Sequence, residues 1–355
     1  MTPAEAINDL FSQKVCWLSD RGPDDDIAIS SRIRFARNFQ NEPFPILADD
    51  AALCRIRDSI FDVLRQVSKA SHFVMREFPM DELSPLDRKF LMERHLVSRE
   101  FLNPRHGSAL ATSREQGTFV MINEEDHLRI QVLAPGFQLA ALWDRIDGFD
   151  DRLSEQLPYA FDKELGYLTA CPSNLGTAMR ASVMLHLPGL VLTGQMDTCL
   201  KAVAKLGLTV RGLFGEGSKN QGKFYQISNQ SSLGESESEI IQRLSSVVNE
   251  IIVHEKNARN MLLAHKRNFL LDHVSRAYGL LKMAYLISGS EALEALSALR
   301  LGVDLGMFGK LKIQTMNELF LLVQSAHLQK YADKELDQDE RDAVRASLLR
   351  EFLNS

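Results

Sequence analysis

The hydrophobic periodicity of the chain changes at Ser236, and this change constrains the fold more than any other feature. Before it, short apolar runs have the length and composition of β-strands and alternate with a few helical stretches. After it, apolar residues such as Ile240, Leu244 and Val248 recur at helical spacing, and Ser236 forms a capping box with Glu239. The sequence therefore predicts an α+β part that is followed by an all-helical part.

The first part contains several pairs of short runs that predict antiparallel strands. Predicted strands cover residues 27–35, 118–123, 128–133, 183–187, 208–210 and 224–228, with helices near 48–68, 137–155 and 195–206. The stretch TFVMINEEDHLRIQVL at 118–133 is typical of a hairpin that carries polar residues at one end of a sheet. We expect an α+β catalytic domain over residues 1–255.

The second part predicts a succession of helices after residue 257. Gly289 and Gly302 are expected to interrupt them, because glycine commonly ends a helix. The stretch KELDQDERD at 334–342 is charged enough to predict a solvated turn. We expect a separate helical domain over residues 256–355.

Charge and cysteine usage narrow the class of protein. The 355 residues carry a formal net charge of -6, which argues against a general role in binding nucleic acid or a membrane surface. The most apolar stretch, residues 183–192, is too short to span a bilayer. Four irregularly spaced cysteines resemble reduced thiols rather than a zinc or redox motif. We expect a soluble cytoplasmic protein.

A basic strand occurs in the stretch SSRIRFARNF. Arg32 and Arg34 are two residues apart, so both side chains leave the same face of a strand and could hold one phosphate group. An exposed basic strand edge is an equally good interpretation of this fragment alone. Arg37 is interpreted as an ion-pair partner.

An acidic turn follows the second predicted strand, in the sequence NEEDHLR. A solvated turn is the alternative to a catalytic role here. A guanidinium nucleophile needs a carboxylate nearby, because its pKa exceeds about 12 and it must be oriented and deprotonated before it attacks phosphorus. Glu125 is the candidate base, and Arg129 lies four residues after it.

Two further segments contain polar turns. Cys171 precedes a turn rich in Pro, Ser, Asn and Gly and lies near Arg180; a thiolate there would polarise a substrate cation. A buried cysteine that acts only as a small hydrophobic residue is the alternative. Arg211 and Glu216 lie in a glycine-rich stretch that either closes over a nucleotide, pairing Glu216 with Glu125, or is a flexible hairpin loop.

Five arginines are thus embedded in motif-like segments. Arginine offers planar, bidentate donors that fit phosphate oxygens and neutralise the charge of a phosphoryl group in transfer. The five are Arg32, Arg34, Arg129, Arg180 and Arg211. Together they predict a phosphotransferase that uses a nucleoside triphosphate.

The four segments SSRIRFARN, NEEDHLRI, CPSNLGTAMRAS and VRGLFGEG occur in this order and resemble the signature blocks of the phosphagen (guanido) kinases. The resemblance implies an ATP:guanidino phosphotransferase domain with an antiparallel sheet flanked by helices. It also implies that the five arginines bind the ATP phosphates and that Glu125, Glu216 and Cys171 contact the guanidinium. Mg²⁺ would be held mainly by phosphates and water, and no residue is assigned as a metal ligand.

Departures from the small-molecule kinases favour a more specific resemblance. The chain reaches SSRIR after 29 residues, which leaves no room for the N-terminal domain that helps those kinases to select a free guanidino acid. Phe214 and Met184 stand where they have Arg and His. These features resemble the bacterial protein-arginine kinases of the McsB type.

The tail resembles the C-terminal domain of the same kinases. Arg341, Asp342 and Arg345 form an R-D-x-x-R-A block that the resemblance associates with phosphoarginine recognition. Arg341 and Arg345 are four residues apart and would share a helix face. Ion pairs within the helix are the alternative.

The predicted function is transfer of the ATP γ-phosphoryl group to arginine side chains of proteins. A small-molecule guanidino kinase and a non-catalytic phosphoarginine-binding adaptor are the alternatives. The resemblance also implies partners: a zinc-finger activator of the McsA kind, a Clp chaperone or protease system, and a second copy of the chain in a homodimer.

Overall fold

An eight-stranded antiparallel sheet forms the centre of the molecule, and helices cover both of its faces. The computed structural model describes residues 3–70, 74–212 and 221–354. The strands are β1 (Ala28–Arg37), β2 (Met75–Pro79), β3 (Ala109–Ser113), β4 (Thr118–Ile122), β5 (Leu128–Pro135), β6 (Phe161–Asp162), β7 (Gly166–Tyr167), β8 (Met179–His186), β9 (Leu208–Gly212) and β10 (Phe224–Asn229). The large sheet has the order β2-β3-β4-β5-β1-β8-β10-β9, and β6 and β7 form a separate hairpin.

The helices of the described residues surround this sheet. They are α1 (Pro3–Ser12), α2 (Cys16–Ser19), α3 (Asp50–Ala70), α4 (Pro85–Glu93), α5 (Leu139–Ser154), α6 (Pro188–Leu192), α7 (Met196–Lys205), α8 (Glu237–His265), α9 (Arg267–Met283), α10 (Gly289–Asp304), α11 (Ile313–Leu322), α12 (Ser325–Ala332) and α13 (Gln338–Asn354). The predicted α+β fold with an all-helical C-terminal part is confirmed.

Local sequence signals account for much of this architecture. Ser236 caps α8 as predicted: its hydroxyl accepts a hydrogen bond from Glu239 N, and its own N donates to the Glu239 carboxylate at 2.8 Å. The predicted hairpin is the antiparallel pair β4 and β5. Strands β2 and β3 were not predicted, and β3 is a short run of small residues that is wholly buried.

The two faces of the large sheet differ in chemistry. One face is apolar, and its residues, among them Ile33, Ile130 and Val183, pack against α3, α5 and α8 in a continuous core. The other face carries Leu133 and Phe224, which pack in a second core together with residues from the N-terminal helices and the C-terminal helices. The C-terminal helices therefore lie over the face of the sheet that bears the arginines of β1.

Gly302 does not interrupt a helix, so that prediction was wrong. It lies inside α10, which continues to Asp304. A Cβ at this position would lie 2.4 Å from Val274 Cγ1 and 2.9 Å from Phe308 Cε2. Close packing of α9 against α10, rather than a turn, explains this glycine.

A buried polar network joins α10 to the sheet. The fully buried guanidinium of Arg300 donates to Asp25 O at 2.7 Å, to His186 Nδ1 at 2.8 Å and to Asn317 Oδ1 at 3.0 Å.

The predicted domain boundary between residues 255 and 256 lies within α8, and the division into two domains stays a prediction.

No helix among the described ranges is both long and apolar enough to cross a membrane. All four cysteines are free and half-buried.

Candidate active site

Strand register brings the predicted arginines onto one face of the sheet. Arg34 on β1 lies opposite Arg180 on β8, and residues that face each other across paired strands project to the same side. Arg129 on β5 lies opposite Ala36, and Arg211 on β9 lies opposite Gln226. Four strands thus contribute arginines to one surface, as the spacing of Arg32 and Arg34 predicted for β1.

These arginines face a cleft of about 750 Å³. Arg32, Arg34, Arg129 and Arg211 line it, and Arg180 donates to Ser228 Oγ at 3.1 Å beside it. Burial, together with the charges of Arg129, Arg180 and Arg211, lowers the pKa of Arg32 to about 9. Mutual repulsion among these guanidinium groups indicates a positive potential in the cleft, which favours the binding of an anion.

Arg34, like Arg32, has a lowered pKa, and it also has a donor nitrogen without a hydrogen-bond partner in the described part of the chain. Burial first, and then the charges of Arg32, Arg129 and Arg180, lower its pKa well below the ordinary value. Its Nε is buried and has no hydrogen-bond partner within the described part of the chain. A buried donor without a partner, on a side chain that lines a polar cleft, fits a bound oxyanion.

The acidic turn between β4 and β5 is held in place by its neighbours. Asn123 has φ of 54° and donates to Leu53 O and Gly107 O, each at 2.9 Å. Asp126 accepts from Asn38 Nδ2 at 2.6 Å and from Ala170 N at 2.8 Å. The two residues between them, Glu124 and Glu125, line the cleft.

The two glutamates have opposite electrostatic character. Burial would raise the pKa of Glu124, but the charge of Arg129 and hydrogen bonds from Ser98 and Arg129 lower it below its ordinary value. Burial and the charge of Asp126 raise the pKa of Glu125. Glu124 is therefore a fixed anion paired with Arg129 at 2.7 Å, whereas Glu125 has the higher proton affinity that suits a base.

Cys171 lies near this turn in space, because the preceding residue, Ala170, donates its backbone N–H to Asp126. Its thiol is half-buried, and Sγ lies 3.0 Å from Ser173 Oγ. The cleft-lining residues do not include it. Glu216 and Phe214 lie outside the described residues.

One wall of the cleft, opposite the sheet, consists of residues that no sequence motif marked. They are residues 97–101 and 103–105, together with Met92 and His95. Ser98 donates a hydrogen bond to Glu124 Oε1, and the charge of Glu100 adds to those that raise the pKa of Glu125. These residues carry no recognisable spacing, so only the fold identifies them.

A mostly apolar cavity lies next to the arginine cleft. Arg32, His95 and Gln226 line both cavities. The remaining lining residues are Trp17, Leu18, Ile29, Ser30, Glu93, Leu133, Ser182, Met184, Phe224, Asn317, Phe320, Leu321 and Gln324. Burial, with the charge of Arg32, lowers the pKa of His95 to about 4, so its imidazole is neutral at pH 7.

The R-D-x-x-R-A residues lie on α13, away from the cleft. Arg345 is buried and donates to Val323 O at 2.9 Å, to Ile287 O at 2.8 Å and to Asp342 Oδ1 at 2.5 Å. Arg341 donates to Leu336 O at 2.6 Å and to Gln338 Oε1 at 2.8 Å. The structure thus brings Asp342 and Arg345 together as an ion pair.

Two family models match this chain. The model of the ATP:guanido phosphotransferase C-terminal catalytic domain matches residues 55–258, and that of the protein-arginine kinase McsB C-terminal domain matches residues 267–355. A protein-arginine kinase from Halothermothrix orenii is 43% identical over 98% of this chain and 99% of its own length. One from Symbiobacterium thermophilum is 44% identical over 96% of each chain.

Solved structures of guanidino kinases are similar to this chain. A duplicated taurocyamine kinase from Schistosoma mansoni with bound transition-state-analogue components has a TM-score of 0.60 at 26% identity, covering 72% of this chain and 38% of that one. A lombricine kinase has a TM-score of 0.58 at 26% identity, covering 67% of this chain and 68% of that one.

Proposed function

This chain belongs to the ATP:guanido phosphotransferase family, and from that premise we propose that it is a kinase that phosphorylates arginine side chains of proteins. The observation that carries the proposal is the convergence of a phosphate-type arginine cluster and an acidic turn on one cleft. Relatives named protein-arginine kinase that match almost the whole chain support a protein as the acceptor.

The arginine cluster supplies the site for the triphosphate. Arg32 and Arg34, whose pKa values are lowered by burial and mutual repulsion, regain ordinary proton affinity when anionic oxygens lie between them. Binding and transition-state stabilisation then use the same donors, because charge spreads over the phosphoryl oxygens during transfer.

The acidic turn supplies the acceptor side. Glu125 accepts a proton from the guanidinium of the substrate arginine as the freed nitrogen lone pair forms a bond to the γ-phosphorus. The bond between that phosphorus and the bridging oxygen breaks at the same time, and ADP leaves with the electron pair. Glu216 and Cys171 are proposed to orient the same guanidinium, as the family resemblance implies.

The apolar cavity next to Arg32 is proposed to hold the adenine of ATP. A largely apolar slot with a few polar groups suits a purine base, and Met184 occupies part of its wall. Mg²⁺ would enter with the phosphates and be held mainly by their oxygens and by water, because it dehydrates reluctantly.

The R-D-x-x-R-A residues are proposed to bind phosphoarginine in a second site. Asp342 already accepts from Arg345, so the pair could hold a phosphoryl group and the guanidinium it is attached to. A cytoplasmic location, a zinc-finger activator of the McsA kind, a Clp system and a homodimer belong to the same proposal. Light scattering of the purified chain, alone and with such partners, tests the assemblies.

The decisive experiment is mass spectrometry under non-acidic conditions after an arginine-rich protein is incubated with the chain and Mg-ATP. The wild type should produce phosphoarginine, and Glu125→Gln should lower the rate by about a hundredfold or more, because a general base contributes about 10²–10⁴. Glu250→Gln makes the same change on the exposed surface of α8 and should leave the rate unaltered.

The alternatives predict different outcomes of this experiment. Phosphorylation of free arginine alone would establish the small-molecule kinase. If neither acceptor is modified even with a candidate activator, the chain is not a kinase under these conditions and the adaptor hypothesis replaces the proposal. A Glu125→Gln variant with near-normal turnover would remove Glu125 from the mechanism.

A further inference from the structure

The wall of the cleft opposite the sheet begins at the end of α4, and a buried carboxylate holds it in place there. Glu93 is the last residue of α4, and only 4% of it is exposed. Its carboxylate accepts hydrogen bonds from Ala326 N at 2.9 and 3.1 Å, from His327 N at 3.1 Å and from His327 Nδ1 at 2.8 Å. A side chain of the catalytic part thus caps the first turn of α12 in the C-terminal part.

The neighbouring Arg94 completes the anchor in the opposite direction. It donates to Leu10 O at 2.6 Å and to Gln116 Oε1 at 3.0 Å, which ties it to the end of α1. Its Nε also donates to His327 Nε2 at 3.4 Å. Because a guanidinium can only donate, His327 Nε2 must accept, and the ring proton lies on Nδ1 facing Glu93. Both neighbours of His327 therefore require the same neutral tautomer.

A short path connects this anchor to the reacting groups. His95 follows Arg94 in the chain, has φ of 60° and lines both the arginine cleft and the apolar cavity. Its ring packs edge-on against Trp17, with ring centroids 5.4 Å apart. Ser98 donates to one oxygen of Glu124, and Arg129 Nη1 donates to the other at 2.7 Å. The position of the wall is thereby transmitted to an arginine of the phosphate cluster.

We infer that Glu93 is a positioning residue for phosphoryl transfer: it holds the wall to α12, so that Ser98 orients Glu124 and Glu124 orients Arg129. This inference rests on the proposed function. It makes the C-terminal helices a structural component of the catalytic unit, in addition to any ligand that they bind.

A purely structural role for Glu93 makes a different prediction. If the carboxylate only caps α12, its loss lowers stability without changing turnover in the folded protein. If it positions the wall, its effect on kcat depends on the hydrogen bond between Ser98 and Glu124. A double-mutant cycle separates the two cases, because residues that act through one path are not additive.

The experiment compares Glu93→Gln, Ser98→Ala and the double variant in the full-length chain, using phosphorylation of an arginine-rich protein at saturating Mg-ATP and urea unfolding. We expect Glu93→Gln to lower kcat about tenfold, the effect of losing about 1.4 kcal/mol of orientation. In the Ser98→Ala background the same change should lower kcat less than about twofold. The effects on unfolding should add.

Lys330→Met is the matched control. Lys330 Nζ on α12 pairs with Asp87 on α4 at 2.6 Å. The pair joins the same two helices as Glu93 does, but at a different position. This variant should lower stability and leave kcat within about twofold of the wild type. If Glu93→Gln does not fold, His327→Ala removes one of its donors and should give the same non-additive cycle with a factor of about three.

Three results would overturn the inference. The first is an unchanged kcat in folded Glu93→Gln. The second is an equal loss of kcat on Glu93→Gln with and without Ser98, and the third is an equal loss in Lys330→Met. Failure of the proposed function is distinguishable from both, because the wild type itself would then form no phosphoarginine.

Discussion

Neutralising one arginine of the cleft should stabilise the nucleotide-free protein while it abolishes nucleotide binding. Burial and repulsion lower the pKa of Arg32 to about 9. At pH 7 the residue is charged in both folded and unfolded states, so the whole electrostatic penalty destabilises the folded state. This lowering of the pKa corresponds to an upper limit of about 5 kcal/mol. Arg32→Gln also loses packing, and buffer anions already screen the cluster, so we expect a net gain of about 1–2 kcal/mol.

The assay is urea unfolding at pH 7 in a phosphate-free buffer of low ionic strength, with and without a non-hydrolysable Mg-ATP analogue. Arg37→Gln is the matched control on the same strand. Arg37 is buried and donates to Asp150 Oδ2 at 2.9 and 2.7 Å, so its loss leaves an unpaired carboxylate. That variant should lose about 3–5 kcal/mol.

The nucleotide should reverse the order of stability. At about one hundred times its Kd the analogue stabilises the wild type by about 2.7 kcal/mol, and it should add little to Arg32→Gln. Raising the salt concentration should shrink the advantage of Arg32→Gln in the nucleotide-free state. The reasoning is refuted if Arg32→Gln is less stable than the wild type at low salt without nucleotide, or if the analogue stabilises both proteins equally.

Two further predictions concern the C-terminal helices. The side chain of Asp304 is fully buried, and burial raises its pKa to about 6. Between about pH 4 and pH 6, the native state therefore retains a proton that the unfolded state has already released. Stability of the wild type relative to Asp304→Asn should therefore fall by about 2–3 kcal/mol as the pH rises through that window, and parallel unfolding curves would contradict this. Arg341→Ala should weaken the binding of free phosphoarginine by about tenfold, as measured by isothermal titration calorimetry. Its free energy of unfolding should stay within about 0.5 kcal/mol of the wild type. An unchanged affinity would show that the ligand does not use this residue.

Local sequence patterns predicted the elements that depend on local chemistry. The capping box at Ser236 is formed within one turn of chain, so the start of α8 could be read from the letters alone. The common face of Arg32 and Arg34 follows from the two-residue repeat of a strand. The electrostatic contrast between Glu124 and Glu125 could not be predicted, because it depends on which of them meets Ser98 and Arg129.

Features that depend on distant neighbours escaped prediction. Gly302 looks like a helix end in sequence, but it is a contact point for Val274 on another helix. The wall that contains His95 and Ser98 has no motif, since its residues become part of a site only when the fold places them in the same cleft as the arginines of the sheet. Burial of Arg345 against Val323 O and Ile287 O is likewise set by tertiary packing.

The cleft and the C-terminal helices have complementary energetic roles. The half-buried arginine cluster of the cleft opposes folding, because burial and mutual repulsion lower the pKa of Arg32 and of Arg34. The C-terminal helices are held against the same face of the sheet by hydrogen-bonded contacts instead, as in the bonds of Glu93 to α12 and of Arg300 to Asp25 O and His186. Helices anchored in this way stabilise a sheet face that its own charges destabilise. In the proposed function the nucleotide supplies anionic oxygens to these arginines, so that folding free energy and nucleotide affinity would be linked through the same residues.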